Sequence, residues 1–181
     1  MKVEQSKLAG LQLVTPDVFA DERGWFYESW NVDKFKALGI DTSFAQDNHS
    51  RSARHTLRGL HFQTTPGQAK LVRCTLGTIW DVAVDIRPDS ATFGQWQAFE
   101  LDDQKRQMLL IPVGFAHGFC VLSEMAEVQY KCSTVYNGQT ESGIAWDDPD
   151  FAVAWPIAEP LLSKRDLGNQ SFADYKRKLG I

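Results

Sequence analysis

The sequence predicts an all-β fold, in which short strands form a sandwich or barrel with a few short helices at its periphery. Two observations support this. Apolar and polar residues alternate in short runs, with turn-forming residues roughly every 8–12 positions, and no long helical period interrupts them between residues 40 and 150. The length of 181 residues suits one domain with a substantial core, so we expect a single domain over residues 1–181.

The first part of the chain is predicted to contain three strands and one short helix. Residues 8–15 form an apolar-rich run that ends before a proline, as a first strand would. The aromatic density of residues 25–30 predicts a second strand. A short helix is expected over residues 31–38 because Gly39 follows as a stop signal, and residues 44–49 predict the next strand.

The rest of the chain continues as a series of strands and closes with a helix. Apolar or alternating runs predict strands at residues 56–63, 70–76, 79–86, 95–101, 107–111, 115–122 and 127–132. Near the C-terminus, Phe172, Tyr175 and Leu179 recur at helical spacing. Ser171 precedes them as a candidate N-cap, so the sequence predicts a C-terminal helix there.

The composition argues against several classes of function. The formal net charge of −4 argues against non-specific nucleic-acid binding. The first residues lack the apolar core of a signal peptide, and no apolar run approaches the length of a membrane span. The three cysteines lie far apart in apolar strand-like runs, which indicates reduced core residues. We therefore expect a cytoplasmic protein that binds neither nucleic acid nor a membrane.

The local charge is unusual between Asn48 and Trp80. This segment has no aspartate or glutamate, but it contains five Lys or Arg residues and three histidines. A basic stretch in an acidic chain indicates a site for an anionic ligand. The alternative is that these charges are simply solvated at the surface.

Four polar side chains are candidates for an inward orientation. Lys70 shares its strand face with apolar residues, and lysine seldom enters an apolar interior unless it is paired or functional. His117 and Tyr130 also lie on apolar strand faces, whereas the orientation of His61 is less clear. Each of these residues alone is more often a satisfied core residue than a catalyst. Their coincidence in one small β domain indicates a cavity.

A metal site is the first chemical alternative. Residues 112–117 resemble the second motif of metal-binding cupins, but His61 is followed by Phe62 and Gln63 where the first motif needs a second histidine and a glutamate. Two histidines fall short of the usual three or four protein ligands, so we expect no metal. The sequence also lacks a nucleophile elbow and a Gly-rich phosphate loop. Acid–base chemistry with an imidazole, a phenol and an ammonium remains.

Eight segments, spread over nearly the whole chain, carry specific motifs. They are residues 46–50, 57–63, 70–73, 80–87, 111–119, 130–131, 146–149 and 162–166. Together they resemble the dTDP-4-dehydrorhamnose 3,5-epimerase family. The resemblance implies a cupin-type jelly-roll β-sandwich, usually a homodimer, without metal or organic cofactor. It also implies a dTDP-4-keto-6-deoxy sugar substrate, inverted at C3 and C5 on the route to dTDP-L-rhamnose.

The resemblance also assigns catalytic roles. It makes His61 the base and Asp166 the carboxylate that orients it. Lys70 would stabilise the oxygen of the enolate that forms at C4 of the sugar. Tyr130 would return a proton from the opposite face and so invert the carbon.

The same family pattern assigns the substrate contacts. The positions that match nucleotide- and sugar-binding residues are Arg23, Glu28, Gln46, Asn48, Arg58, His117 and Glu141. Tyr136 matches the aromatic residue that stacks on thymine, and Lys164 is a candidate phosphate contact. Val135 departs from the pattern, because the family often has a second aromatic residue there.

Three other functions remain open at this point. A single-centre epimerase, acting at C3 or C5 only, would resemble this sequence at most of the same positions. A non-catalytic nucleotide-sugar-binding cupin would be expected to have lost His61, Tyr130 or Asp166, and all three are present. A metal-dependent cupin isomerase or oxygenase is the fourth hypothesis.

Overall fold

The computed structural model describes residues 1–181 and contains thirteen strands and three short helices. The strands are β1 (Lys2–Gln5), β2 (Gln12–Thr15), β3 (Phe19–Asp21), β4 (Gly24–Phe26), β5 (Gln46–Ala53), β6 (Leu57–Gln63), β7 (Lys70–Leu76), β8 (Thr78–Asp85), β9 (Trp96–Asp102), β10 (Met108–Ile111), β11 (Phe115–Val121), β12 (Met125–Cys132) and β13 (Glu141–Gly143). The helices are α1 (Val32–Ala37), α2 (Lys164–Leu167) and α3 (Phe172–Leu179).

Two antiparallel sheets form a sandwich. The six-stranded sheet has the order β1-β2-β10-β7-β12-β5, and the five-stranded sheet has the order β13-β6-β11-β8-β9. Strands β3 and β4 form a separate hairpin. The largest core cluster mixes side chains from both sheets, such as Val72 and Val128 from one and Ile79 and Phe119 from the other. The predicted all-β sandwich with a few short helices is therefore confirmed.

Strand alternation decides which side chains enter this core. On β7, Val72 and Cys74 face the other sheet, while Leu71 faces outward and packs beneath Phe35 of α1. Strand β11 is buried along its whole length. One of its faces meets the six-stranded sheet, and the other is covered by a cluster that includes Phe172 of α3. The inner faces are thus largely apolar, and polar residues on them stand out.

The two longer helices begin where the sequence predicts. Asn31 caps α1 by accepting the Lys34 backbone N–H at 3.2 Å, and Gly39 follows the helix with a φ of 84°. Ser171 caps α3 by accepting the Asp174 backbone N–H at 3.0 Å. No helix in the chain has both the length and the apolar character that a membrane crossing requires. All three cysteines are buried and unpaired.

Strands β3 and β13, of three residues each, were not predicted from the sequence, and three further differences stand out. Residues 25–30 were expected to form one strand, but only Gly24–Phe26 is extended, in the β3–β4 hairpin. Its aromatic residues signal β structure, yet this hairpin pairs only with itself and leaves them exposed. Strand β1 was missed because it is short, polar and at a sheet edge, and α2 was missed because a single turn has no detectable periodicity.

Candidate active site

A cavity of about 220 Å³ brings most of the predicted site residues together. It is lined by all four predicted catalytic residues, His61, Lys70, Tyr130 and Asp166. Six predicted binding residues also line it: Gln46, Asn48, Arg58, His117, Tyr136 and Glu141. A larger cleft, about 470 Å³, opens on the outer face of the six-stranded sheet, but neither His61 nor Lys70 lines it. We therefore place the candidate site in the smaller cavity.

Pairing within each sheet explains how distant segments meet here. In the six-stranded sheet, Cys132 lies directly opposite Lys70, and Tyr130 lies opposite Asn48. In the five-stranded sheet, His61 of β6 lies directly opposite His117 of β11. Directly opposite residues in an antiparallel pair have Cβ atoms about 4.5–5.5 Å apart. The ammonium and the phenol therefore come from one sheet, and the two imidazoles come from the other.

His61 and Asp166 form a close pair. The distance between His61 Nε2 and Asp166 Oδ1 is 2.7 Å, although the ring N–H is not aligned with that oxygen, so the contact is more electrostatic than directional. The Ser163 hydroxyl and, at 3.2 Å, the Gly59 backbone N–H also donate to Asp166. Burial alone would raise the pKa of Asp166, but the interactions with these three residues outweigh it and hold this pKa well below its usual range. A fixed carboxylate therefore stands beside the imidazole.

Lys70 has no partner of its own. It forms neither an ion pair nor a side-chain hydrogen bond, although its ammonium group lies inside the cavity. Burial lowers its pKa, because an interior site penalises the charged form. An unpaired ammonium in such a place is suited to an anion that enters the cavity.

Tyr130 retains its proton. Burial raises the pKa of its phenol, and the nearby Cys132 adds to that shift. A partly buried, protonated phenol is a suitable general acid. It belongs to the sheet that faces His61, so an acid and a base line the cavity from opposite sheets.

His117 is held by a carboxylate that the sequence reasoning did not single out. Its Nε2 lies 2.9 and 3.0 Å from the two carboxylate oxygens of Asp81 on β8. Burial lowers the pKa of His117 and outweighs the opposite effect of Asp81, so the imidazole is neutral at neutral pH. Alternation along β8 could have placed Asp81 inward, but only the pairing of β8 with β11 reveals its partner.

The mouth of the cavity is held by a polar network. The Tyr136 hydroxyl donates to Glu141 at 2.8 Å, and Arg165 forms an ion pair with the same carboxylate. The Gln46 side chain accepts the Tyr136 backbone N–H at 2.8 Å and donates to Asn48 at 3.0 Å. Tyr136 is 53% exposed, so its side chain is accessible to a ligand at this mouth.

Three predicted binding residues do not line this cavity. The side chain of Arg23 bonds to Asp21 in the exposed hairpin, and Glu28 bonds to Lys34 and Asn31. Lys164 is exposed at the start of α2, and its neighbour Arg165 lines the cavity instead. Because α2 is a single turn capped by Ser163, adjacent residues point in different directions, which the sequence does not reveal. The substrate contacts of Arg23 and Glu28 stay predictions.

The residues present do not make a cluster suited to a metal ion. No group of three or more His, Cys, Asp or Glu side chains lies close enough together to hold one. The two cavity histidines are each engaged with a separate carboxylate, on Asp166 and on Asp81. This arrangement suits acid–base chemistry by the side chains themselves.

Comparison with known proteins identifies the family. A family model described as dTDP-4-dehydrorhamnose 3,5-epimerase matches residues 5–174. A relative of that name from Shigella flexneri is 47% identical over 96% of this chain and 97% of its own length. A crystal structure of a dTDP-6-deoxy-D-glucose-3,5-epimerase from Legionella pneumophila, in complex with dTDP-4-keto-L-rhamnose, superposes with a TM-score of 0.94 at 41% identity, covering 98% of this chain and 96% of that one.

A neighbour with a narrower activity has nearly the same fold. The structure of a 3′-monoepimerase from Streptomyces bikiniensis in complex with dTDP-quinovose has a TM-score of 0.89 at 35% identity, covering 97% of this chain and 89% of that one. The fold therefore accommodates both single and double epimerases. The match of the family model over most of the chain, and the identity to full-length relatives, place this chain in the dTDP-4-dehydrorhamnose 3,5-epimerase family.

Proposed function

We propose that this chain inverts C3 and C5 of dTDP-4-dehydro-6-deoxy-D-glucose and so forms dTDP-4-dehydro-L-rhamnose, without a metal or an organic cofactor. The observation that carries the proposal is the arrangement of the cavity. The His61–Asp166 pair lines one side of the cavity, Tyr130 lines it from the facing sheet, and Lys70, from the same sheet as Tyr130, lines it without a partner.

The reaction begins with proton removal beside the C4 ketone. His61 takes the proton from the carbon, and the electron pair moves into an enolate whose charge rests on the C4 oxygen. Asp166 stabilises the imidazolium that forms. Lys70 stabilises the enolate oxygen, and its interaction is strengthened because the cavity excludes much of the water.

Inversion follows when Tyr130 protonates the same carbon from the opposite face. The imidazolium of His61 then releases its proton to solvent, and the phenolate of Tyr130 takes one up, so the enzyme returns to its starting state. The carbons C3 and C5 both flank C4, so the same three groups serve both steps. The sugar ring has to reorient between them.

Basic and aromatic side chains at the cavity suit the nucleotide part of the substrate. Arg58 and Arg165 both line the cavity, and a guanidinium can bond two phosphate oxygens at once. Arg165 is paired with Glu141, so diphosphate binding would exchange one anionic partner for another. The exposed side chain of Tyr136 is available to stack on thymine.

We also propose a homodimer. Phe19, Trp25 and Phe26 of the β3–β4 hairpin are 66%, 56% and 65% exposed, and Arg23 lies between them in the turn. A second copy that covers this hairpin would bury the aromatic rings and would allow Arg23 to reach a cavity that it does not line in its own chain. A monomeric mass by light scattering at assay concentrations would contradict this.

The proposed function predicts deuterium at both carbons after turnover in D₂O. The 4-keto-6-deoxyglucose nucleotide is incubated with the protein and a chelator, and the sugar is followed by NMR. We expect solvent deuterium at C3 and C5, because the proton that Tyr130 delivers comes from solvent. Excess dTDP should suppress the exchange more strongly than excess UDP, because the base is read by stacking at Tyr136.

Other outcomes would redirect the proposal. Deuterium confined to one carbon after exhaustive incubation would indicate a single-centre epimerase, as in the Streptomyces neighbour. Loss of exchange in the chelator, with recovery on adding a stoichiometric divalent ion, would indicate a metal-dependent enzyme. Absence of exchange with intact dTDP binding would indicate a binding protein.

A further inference from the structure

Residues 161–170 form a segment, here called the strap, that carries Asp166 to the cavity. Parallel bridges tie the strap to the five-stranded sheet at both ends, at Leu161 beside the start of β6 and at Gln170 just after β13. A backbone hydrogen bond of 2.8 Å stands at each of these two ends. Because His61 lies on β6, the distance between the imidazole and the carboxylate depends on what holds the strap between its ends.

Between those ends, two side chains of the strap bind the same residue of β6, Gly59. The Gly59 backbone N–H donates to Asp166 Oδ1 at 3.2 Å, and the Gly59 carbonyl accepts from the Asn169 side-chain amide at 3.0 Å. Asp166 Oδ1 is also the oxygen that lies 2.7 Å from His61 Nε2. A shift of Gly59 would therefore move both a donor to the carboxylate and the strand that carries the imidazole.

The strand pairing is irregular at Gly59. His61 lies opposite His117, and Arg58 lies opposite Phe119, so two residues of β6 face a single residue of β11. A bulge of this kind redirects nearby side chains and is common next to active sites. Gly59 is buried, so its backbone N–H and carbonyl need hydrogen-bond partners. The strap provides one partner for each.

Asn169 reaches Gly59 because a glycine leaves room for its amide group. Gly143 of β13 lies directly opposite His61 in the strand pairing. A Cβ atom added at Gly143 would lie 2.6 Å from Asn169 Cγ and 2.8 Å from Asn169 Nδ2, which is much closer than van der Waals contact allows. The missing side chain at Gly143 and the hydrogen bond to Gly59 are two separate observations that fix the same amide.

We propose that Asn169 is a positioning residue for the reaction: by holding the backbone of Gly59 against the strap, it keeps the Asp166 carboxylate in place beside His61. This inference rests on the proposed function. Asn169 does not line the cavity, so it has no contact with the sugar. The Ser163 hydroxyl also donates to Asp166, so loss of Asn169 should loosen the carboxylate without releasing it.

The first test is Asn169→Ala. We expect kcat to fall by up to about 10²-fold, because a small displacement of a catalytic group can cost that much. The Kd for dTDP should stay close to that of the unmodified protein, because the Asn169 side chain makes its hydrogen bond to Gly59 and to none of the proposed nucleotide contacts. Asn169→Leu keeps a branched side chain without a donor, and we expect a similar loss of kcat.

The second test needs no substrate. A carboxylate beside Nε2 of a neutral imidazole favours the proton on that nitrogen. NMR of protein with ¹⁵N-labelled histidine, with His61 assigned through His61→Ala, reports which ring nitrogen carries the proton. We expect the Nε2–H tautomer of His61 in the unmodified protein and a mixture of both tautomers in Asn169→Ala.

The matched control is Gln170→Ala, at the next position of the strap. The Gln170 side chain donates to Ser142 Oγ at 2.8 Å and accepts from Lys178 Nζ at 2.7 Å, so it stabilises the strap without contacting Gly59. We expect Gln170→Ala to lose thermal stability and to keep the original kcat and the original His61 tautomer. A change in stability alone would therefore affect both variants, whereas a change in positioning would affect only Asn169→Ala.

A double-mutant cycle tests the role of the amide directly. Gly143→Ala should push the Asn169 amide away from Gly59 and lower kcat much as Asn169→Ala does. In the Asn169→Ala background the added methyl group has room, so Gly143→Ala should lower kcat no further. An equal fall of kcat in both backgrounds would show that the effect of Gly143→Ala does not pass through Asn169, and would count against the inference.

The possible failures are distinguishable. An unmodified protein that exchanges no deuterium would sink the proposed function, while the histidine NMR would still decide whether Asn169 positions the pair. A kcat of Asn169→Ala or Asn169→Leu equal to that of Gln170→Ala, or an unchanged His61 tautomer, would overturn the inference. A parallel loss of dTDP binding would also overturn it, because the strap would then have moved as a whole. If Asn169→Ala does not fold, Gly143→Ala supplies the same comparison with the amide still present.

Discussion

His61→Ala is expected to lower kcat by about 10²–10⁴-fold, the usual contribution of a positioned acid or base. The same substitution should leave the Kd for dTDP nearly unchanged, because the imidazole is engaged with Asp166 and the proposed nucleotide contacts are Arg58, Arg165 and Tyr136. Deuterium incorporation from D₂O should fall with kcat, since His61 is the proposed base that removes the proton. Steady-state kinetics, dTDP titration and NMR exchange measure the three quantities.

A histidine outside the cavity provides the control for this substitution. His49 is exposed on β5 and contacts Glu127 at 2.9 Å on the outer surface, so His49→Ala should keep the original rate. A near-original rate for His61→Ala would show that another group is the base. A parallel loss of dTDP binding would instead assign His61 to substrate binding.

Strand periodicity allowed much of the cavity to be predicted. Alternation on β7 and β12 placed Lys70 and Tyr130 on inner faces, and both line the cavity. The orientation of His61 was less clear, because its strand face also carries Gly59 and Gln63, while the apolar Leu60 and Phe62 take the other face and pack in a second cluster on the outer side of the same sheet. The alternation is present, but because both faces of this strand are covered, the apolar face does not mark the side that lines the cavity.

The residues that the sequence did not reveal depend on long-range pairing or on a single turn. Asp81 contacts His117 only because β8 lies beside β11, which brings the two side chains within 2.9 Å. Arg165 rather than Lys164 reaches the cavity because of the orientation of α2, which its capping by Ser163 fixes. Neither fact leaves a periodic pattern in the sequence, so the family resemblance alone pointed to the neighbourhood of Arg165.

Tyr130→Phe is expected to separate proton exchange from inversion. The substitution removes the phenol that reprotonates the carbon, so formation of the inverted sugar should fall by about 10²–10⁴-fold. His61 can still remove a proton and return one from its own side, since the His61–Asp166 pair is unchanged. Deuterium should therefore enter the substrate with retained configuration, while His61→Ala blocks both events.

The matched control is Tyr175→Phe. Tyr175 is also a partly buried phenol whose pKa burial raises, but its hydroxyl donates to the Ile86 carbonyl at 3.1 Å beneath α3, away from the cavity. We expect the Tyr175→Phe variant to lose some thermal stability and to keep both proton exchange and inversion. NMR of the recovered nucleotide distinguishes the outcomes. If Tyr130→Phe inverts the sugar at the original rate, the proton donor is another group. If the variant loses both exchange and inversion, the phenol is needed before the enolate forms.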